Sequence, residues 1–317
     1  MSEFAFELAL SAHLEARRET LVSRQLGTSV HGRRVLDTIL VDPGPGFEDR
    51  AAITAERIPD LAIESAVGPG EARFWKDVFD CHPDRARSLV EWAVDVGFFE
   101  RERHSGRTYV RQTARYPDDW FDRIVGIENK PDLSTPGALQ TQLLTDVTLA
   151  LVDEVVLATE SHVTGAHLNR IPEEVGVWRF DPEAGDCEVI REATLLPSDE
   201  AGIEILDRSS ARTEIRVATA EAKRRARRRV AERAYGKGWR TVEMPACARV
   251  DPQNGLPYCP YHDRIVRPAS DCGESCEGHD PADPPESEAE QLRAARTPWV
   301  ADPEGRRRRQ SGLDRYR

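Results

Sequence analysis

Three charged residues stand where charge is expensive. Asp37 in "RRVLDTILVD" has apolar neighbours on both sides, and in "IVGIENKPDL", residues 124–133, an apolar run leads into Glu128 and Lys130. Residues two apart on a strand share a face, so Glu128 and Lys130 project together at a strand end. Charges in such places are costly unless paired or bound to metal. Two carboxylates suit a hard divalent cation such as Mg²⁺ or Mn²⁺, which lowers the pKa of a bound water and stabilises charge growing on phosphorus. A lysine beside them orients that water. The chain has only four lysines, Lys76, Lys130, Lys223 and Lys237, so the one at this position draws notice. Asp37, Glu128 and Lys130 are thus the minimal kit for hydrolysing a phosphodiester.

A second group is built from thiols. Cys247, Cys259, Cys272 and Cys276 lie within thirty residues at spacings x11, x12 and x3, with His262 in "CPYH" and His279 beyond. Four thiolates suit tetrahedral Zn²⁺, which would fold a Pro- and Gly-rich segment too poor in apolar residues to fold alone. A Cys₃His site through His262 and an iron–sulfur cluster are the alternatives. Cys81 and Cys187 stand apart and read as buried thiols.

The elements that must position these groups follow from periodicity. Residues 3–20 read as a helix with Phe4, Leu8, Leu10 and Leu14 apolar; residues 33–42 read as a strand closed by "PGPG". "DRIVGIENK" is a strand, "ALQTQLLTDVTLALV" a helix and "DEVVLATES" a buried strand, followed by strands around "EEVGVWRFD" and "CEVIREA". That order implies a parallel pair with a helical crossover, hence an α/β core. Between the first strand and "DRIVGIENK", residues 57–115 read as helices followed by a strand–turn–strand over "GFFERERHSGRTYVRQT". The pattern resembles a winged helix. Its recognition helix would be "DRARSLVEWAVDVG" and its wing "ERHSGRTYV", offering Arg85, Arg87, Arg101, Arg103, Arg107 and Arg111 to phosphates. Residues 220–240 form a basic helix in which Lys223, Arg224, Arg225, Arg227, Arg228, Arg229 and Arg233 make a candidate phosphate-binding face.

Composition bounds the rest. The 317 residues are 39% hydrophobic, enough to bury a core, and carry a net charge of −12. Acidic surplus with scarce lysine suits a salt-rich cytoplasm, where high salt screens self-repulsion. The start "MSEFAFELAL" lacks the basic residues of a signal peptide, and no apolar run approaches a membrane span. A cytoplasmic protein without a membrane partner is expected.

The stretches "VLDTILVD", "IVGIENK", "QTQLLTDVTLALVDEVVLATES" and "IPEEVGVWRFD" together resemble the PD-(D/E)XK, or restriction-endonuclease-like, nuclease superfamily, with a layout similar to MmcB-like DNA-repair proteins. The whole chain also resembles a haloarchaeal family of uncharacterised function. The resemblance covers residues 3–50 and 120–195. It implies a mixed sheet flanked by helices, with Asp37 and Glu128 on Mg²⁺ and Lys130 at the attacking water. It also implies a helix glutamate, Glu7 or else Glu15, and a glutamine from the next helix, Gln140 or Gln142. The pattern departs from the superfamily in having Leu36 where a proline is usual and a long gap between Asp37 and Glu128.

The expected layout is a discontinuous nuclease-like core at 1–50 and 118–219 and an inserted winged helix at 51–117. A basic helix at 220–240, a Cys-rich metal segment at 241–280 and a loose tail at 281–317 complete it. DNA is the expected partner, gripped through Arg85, Arg87, Arg107, Arg224 and Arg228; a homodimer is left open. The expected function is a metal-dependent nuclease. The alternatives are a winged-helix DNA-binding regulator on a degenerate nuclease scaffold and an interaction protein with no nucleic-acid role.

Overall fold

A computed structural model describes residues 2–135, 137–209 and 211–304. The chain is mixed α/β and divides into two units: one holds residues up to Asp42 and Arg123–Trp299, the other Pro43–Asp122 with residues from Val300 onward.

The first unit is built on a six-stranded mixed sheet. Helix α1 (Glu3–Arg17) precedes strands β1 (Leu21–Gly27) and β2 (Val35–Pro43), which pair antiparallel; β3 (Phe121–Asn129) lies on the other side of β2. Helix α2 (Leu139–Leu149) carries the chain over to β4 (Glu154–Thr159), parallel to β3, and β5 (Gly176–Asp181) is parallel to β4. The last strand, β6 (Asp186–Arg191), turns back antiparallel on β5, so the sheet order is β1-β2-β3-β4-β5-β6. Helix α1 is N-capped by Ser2, whose hydroxyl accepts from the Ala5 amide, and is apolar nearly all round. Phe4, Phe6, Leu8, Leu10 and Leu14 pack against Val22, Leu40, Val125, Ile127, Val156, Ala158, Trp178 and Phe180 of the sheet. Alternation along β3 then places Gly126 and Glu128 on the opposite face. A Cβ on Gly126 would collide with the Leu36 side chain, so glycine lets β2 close up on β3 beside the charged residues.

Helix α3 (Ala220–Lys237) begins at the Thr219 N-cap and ends at Gly238, whose φ is +64°. The sequence reading made this helix a basic face for phosphate; the fold turns much of that charge inward. Lys223 is fully buried and donates to the Pro197 carbonyl at 3.0 Å. Arg227 is buried on Asp153 at 2.8 Å, and Asp153 also accepts from the Ile124 amide and the Ser198 hydroxyl. The reason is that Ala226, Val230, Ala231, Ala234 and Tyr235 must be buried, and basic residues interleaved with them go in too. Arg224 stays exposed and Arg228 is half-buried.

The segment read as a loose tail is also better ordered than expected. Residues 289–296 form a helix, Arg293 donates to the carbonyls of Ala234 and Tyr235, and its guanidinium lies 4.4 Å from the Trp299 ring centre. Residues 305–317, including the run of arginines, lie outside the described residues. A hairpin over Gly202–Arg208 and Thr213–Ala218, absent from the sequence reading, precedes α3.

In the second unit, helices Phe47–Ala51 and Asp60–Ile63 are followed by the short strand Arg73–Phe74, a 3₁₀ turn at Trp75–Asp77 and helix Pro83–Asp95. A hairpin, Phe99–His104 with Arg107–Gln112, turns at Ser105-Gly106, both at positive φ; Arg73–Phe74 pairs with its second strand. The region 71–79 read as helical is therefore mainly strand and 3₁₀ turn. No helix among the described residues is long and apolar enough to cross a membrane.

Glu15, the alternative helix glutamate, is 2% exposed and accepts from Trp239 Nε1 at 2.9 Å and from both terminal nitrogens of Arg240 at 2.7 and 2.5 Å. It anchors the chain after α3 to α1. Removing one partner of a buried ion pair strands the other, so Glu15→Ala is expected to lower stability by about 3–5 kcal/mol in urea denaturation; a change below 1 kcal/mol would show that Arg240 finds water instead.

Candidate active site

Four carboxylates gather at one end of the sheet. Glu7 on α1 is 4% exposed and accepts from Arg24 Nε at 2.8 Å. Gln25 of β1 bridges Glu7 to Asp37: its Nε2 lies 3.1 and 3.2 Å from the Glu7 oxygens and 3.1 Å from Asp37 Oδ1. The other oxygen of Asp37 accepts from the backbone amide of Asn129 at 2.8 Å, tying β2 to the end of β3. Glu128, the residue before Asn129, accepts from Arg34 Nη2 at 2.6 Å. The same guanidinium makes a two-point contact with Asp146 of α2, Nε–Oδ1 at 2.9 Å and Nη2–Oδ2 at 2.7 Å.

The backbone is bent to serve this arrangement. Gln25 has φ of +51° in the middle of an antiparallel strand, an uncommon state for a residue with a side chain. Lys237 at the end of α3 donates to the carbonyls of Arg24 and Gln25 at 2.7 and 2.9 Å, holding that bend. Asn129, 1% exposed, gives its side-chain amide to the Thr38 hydroxyl, while its Oδ1 has no partner among the described residues.

The charges do not balance. Counting groups in direct contact, Glu7, Asp37, Glu128 and Asp146 face Arg24 and Arg34: four negative against two positive. The titrations follow. Burial, then the charge of Asp37, pushes Glu128 up to about 7 against the pull of Arg34. Burial raises Asp146 to about 6, opposed by its bonds with Arg34. Burial also raises Asp37, an effect the Asn129 amide moderates and the charge of Glu7 strengthens. For Arg34, burial works against the charge, but Asp146 and Glu128 outweigh it and hold the guanidinium protonated.

Of the residues picked from sequence, Glu7, Asp37 and Glu128 are brought together. Lys130 stands just past the end of β3, half-buried; its ammonium makes no hydrogen bond or ion pair with a described residue, and the carboxylate it affects is the exposed Asp132. Neither Gln140 nor Gln142 bonds into the cluster: Gln140 lines an apolar hollow with Leu133, Leu139, Leu143 and Ile171. Asp146, one turn beyond Gln142, is the residue of α2 that reaches it. Asp146, Arg34 and Gln25 escaped the sequence reading, although Asp146 interrupts the apolar run "LLTDVTLAL" much as Glu7 interrupts "FAFELAL".

The thiols also draw together. All six cysteines are free, and Cys247 and Cys259 are buried. Cys259 ends the middle strand of a small sheet, Asp251–Gln253, Leu256–Cys259 and Arg264–Ile265, and its carbonyl accepts from the His262 amide. Cys276 Sγ lies 3.4 Å from His262 Nε2. Burial and the charges of Cys259, Cys247, Asp271 and Cys276 raise Cys272, which puts Cys272 within electrostatic reach of the other three thiols. Even so, among the described residues no three or more His, Cys, Asp or Glu side chains stand in an arrangement ready to hold a metal ion. The acids are turned to Arg34, Arg24, Gln25 and the Asn129 amide instead.

Residues 21–281 match DUF5787, a family of unknown function, and the chain belongs to that family. No curated protein and no solved structure matches the chain.

The raised Glu128 sets a pH dependence. Unfolded, its carboxyl ionises near the ordinary 4.5; folded, near 7, so the folded state keeps the proton longer. The stability this gives is fully present below about pH 4.5 and is lost as pH rises through 7. Between those limits the wild type is expected to lose about 3 kcal/mol relative to Glu128→Gln in urea denaturation. Parallel pH curves for the two proteins would show that Glu128 titrates normally.

Proposed function

We propose that this chain is a metal-dependent nuclease or nuclease-like DNA-processing protein. The observation that carries the reading is the excess of carboxylate over cation at the buried Glu7, Glu128 and Asp146 and the half-buried Asp37. A buried cluster short of positive charge has an appetite for a cation. Its oxygen donors suit Mg²⁺ or Mn²⁺ rather than a soft metal. Asp37 and Glu128 would hold the ion, which when bound supplies Lewis-acid stabilisation of a phosphodiester under attack. Glu7 orients the site through Gln25, which it shares with Asp37. Lys130, with no ion pair among the described residues, is the group left to orient a water or meet phosphate charge. The order of helix, antiparallel pair, third strand, crossover helix and parallel strand supports the restriction-endonuclease-like resemblance.

The second unit supports a DNA partner. Its sequence of helices, short strand, helix and hairpin, with the short strand on the hairpin's second strand, is the order expected of a winged helix. Arg85 and Arg87 on helix Pro83–Asp95 and Arg107 at the hairpin turn are exposed and make no ion pair with a described residue; Arg111 is spent on Glu100 and Glu102. Guanidiniums without an ion pair in an acidic chain suit phosphate contacts, here with Arg87 lying over Trp75 and Arg107 over Phe74. A second reading, a non-catalytic DNA-binding regulator, is favoured by one observation: Arg34 already bridges Glu128 and Asp146.

Cleavage of labelled single-stranded, duplex and branched DNA with Mg²⁺ or Mn²⁺ at high KCl decides between them. Metal-dependent cleavage that falls at least about a hundredfold in Lys130→Ala is expected. DNA binding without cleavage by the wild type would leave the regulator.

The four clustered thiols fit zinc in their chemistry, and the ion would close the segment between Cys247 and Cys276, where DUF5787 membership also ends nearby. Protein purified without chelator is expected to carry about one zinc per chain by elemental analysis, lost in Cys259→Ser. Iron with sulfide in place of zinc would mark a cluster, and absence of both metals would remove the structural-metal role.

A further inference from the structure

Beside the acid cluster lies a basic hollow. It has a volume of about 380 Å³, bounded by the β1–β2 loop and α3, and Arg33, Arg34, Arg229 and Arg233 line it. The loop is fixed from behind. The amides of Val30, His31 and Gly32 all donate to the buried carboxylate of Glu204, at 3.0, 2.7 and 2.9 Å. Those amides are thereby spent, so the side chains of the hollow, rather than its backbone, meet an incoming group. Arg33 is exposed and makes no ion pair with a described residue. Arg34 belongs to both places: it lines the hollow and holds Glu128 and Asp146. Four guanidiniums thus line one hollow in a chain of net charge −12, Arg33 without an ion pair among the described residues and Arg34 shared with the acids.

We propose that this hollow is a subsite for a nucleic-acid backbone phosphate, with Arg34 as the positioning residue it shares with the acid cluster. The proposal rests on the nuclease reading for the neighbouring acids. A phosphodiester seated against Arg33 lies beside Arg34, the guanidinium that reaches Glu128. Planar guanidiniums match the paired oxygens of a phosphodiester. The phosphate also competes for Arg34. As its guanidinium turns to the phosphate, Glu128 and Asp146 lose neutralisation and bind a cation more strongly, so strand and cation favour each other reciprocally.

The test is fluorescence anisotropy of a labelled twenty-nucleotide single strand against the full chain in EDTA, over a series of KCl concentrations. Arg33→Gln and Arg229→Gln are compared with the charge-matched Arg179→Gln on β5, whose side chain is partly exposed opposite Glu188. Each hollow variant is expected to weaken binding and reduce the slope of log Kd against log salt by about 1, with Arg179→Gln unchanged. Arg34→Gln is expected to tighten Ca²⁺ binding in calorimetry without the strand and to abolish the strand's enhancement of it. Wild-type slopes in both Arg33→Gln and Arg229→Gln would overturn the subsite. So would inorganic phosphate that binds in calorimetry and displaces the strand at equal concentration, since the hollow would then take free phosphate. Because no cleavage is read, an inactive wild type with intact strand binding sinks the nuclease reading alone. Wild-type slopes in both variants with intact cleavage sink the subsite alone.

Discussion

One guanidinium shared between two buried carboxylates governs this site. Arg34 reaches Glu128 on the third strand and Asp146 on the crossover helix, and only one positive charge is divided between them. With Glu7 and Asp37 close by and Arg24 the only other cation in direct contact among the described residues, the cluster stays short of positive charge. That shortage leaves burial, and after it the charge of Asp37, only partly opposed, so Glu128 and Asp146 rise into the range where protons come and go near neutrality. It also explains why so many elements converge there. The Asn129 amide and Gln25 supply hydrogen bonds where charge is lacking, and Lys237 fixes the backbone that carries Gln25.

The same constraint shapes the elements around the cluster. Helix α3 looks like a solvated basic rod when read as composition, yet it buries Lys223 and Arg227 against Pro197 and Asp153 and uses Lys237 to hold the left-handed turn at Gln25. Its basic residues are partly structural, closing hydrogen-bond demands of strand ends that would otherwise be orphaned. Two others, Arg229 and Arg233, line the hollow beside Arg34. One helix thus supports the fold on one side and presents charge on another, which follows from the 3.6-residue period of its small apolar residues.

The region after α3 is held by polar anchors more than by a core of its own. Glu15 grips Trp239 and Arg240, and Arg293 donates to the last carbonyls of α3. Between those anchors the four free thiols and His262 share one small neighbourhood. A short segment with three two- to four-residue strands has little apolar area to bury, so anchors and thiols bear more of the ordering.

Residue patterning was enough to mark the elements near Asp37 and Glu128. Apolar alternation marked strands at 33–42 and 122–130, observed at Val35–Pro43 and Phe121–Asn129, and an acid inside an apolar run marked Glu7. It missed β1, because "LVSRQLG" mixes polar residues into a strand that the neighbouring sheet and α3 complete. It also missed Asp146, Arg34 and Gln25. A lone acid in a helix, an arginine in a loop and a glutamine in a strand carry no periodic signal, and their meaning lies in what stands across from them. Only the tertiary structure decided that Arg34 would sit between Glu128 and Asp146, that Glu15 would serve Arg240 and that the charges of α3 would divide. Those choices rest on distances between residues more than a hundred positions apart in the cases of Arg34–Asp146 and Glu15–Arg240. Local patterning fixes which face a residue takes; the sheet order fixes which charge it meets.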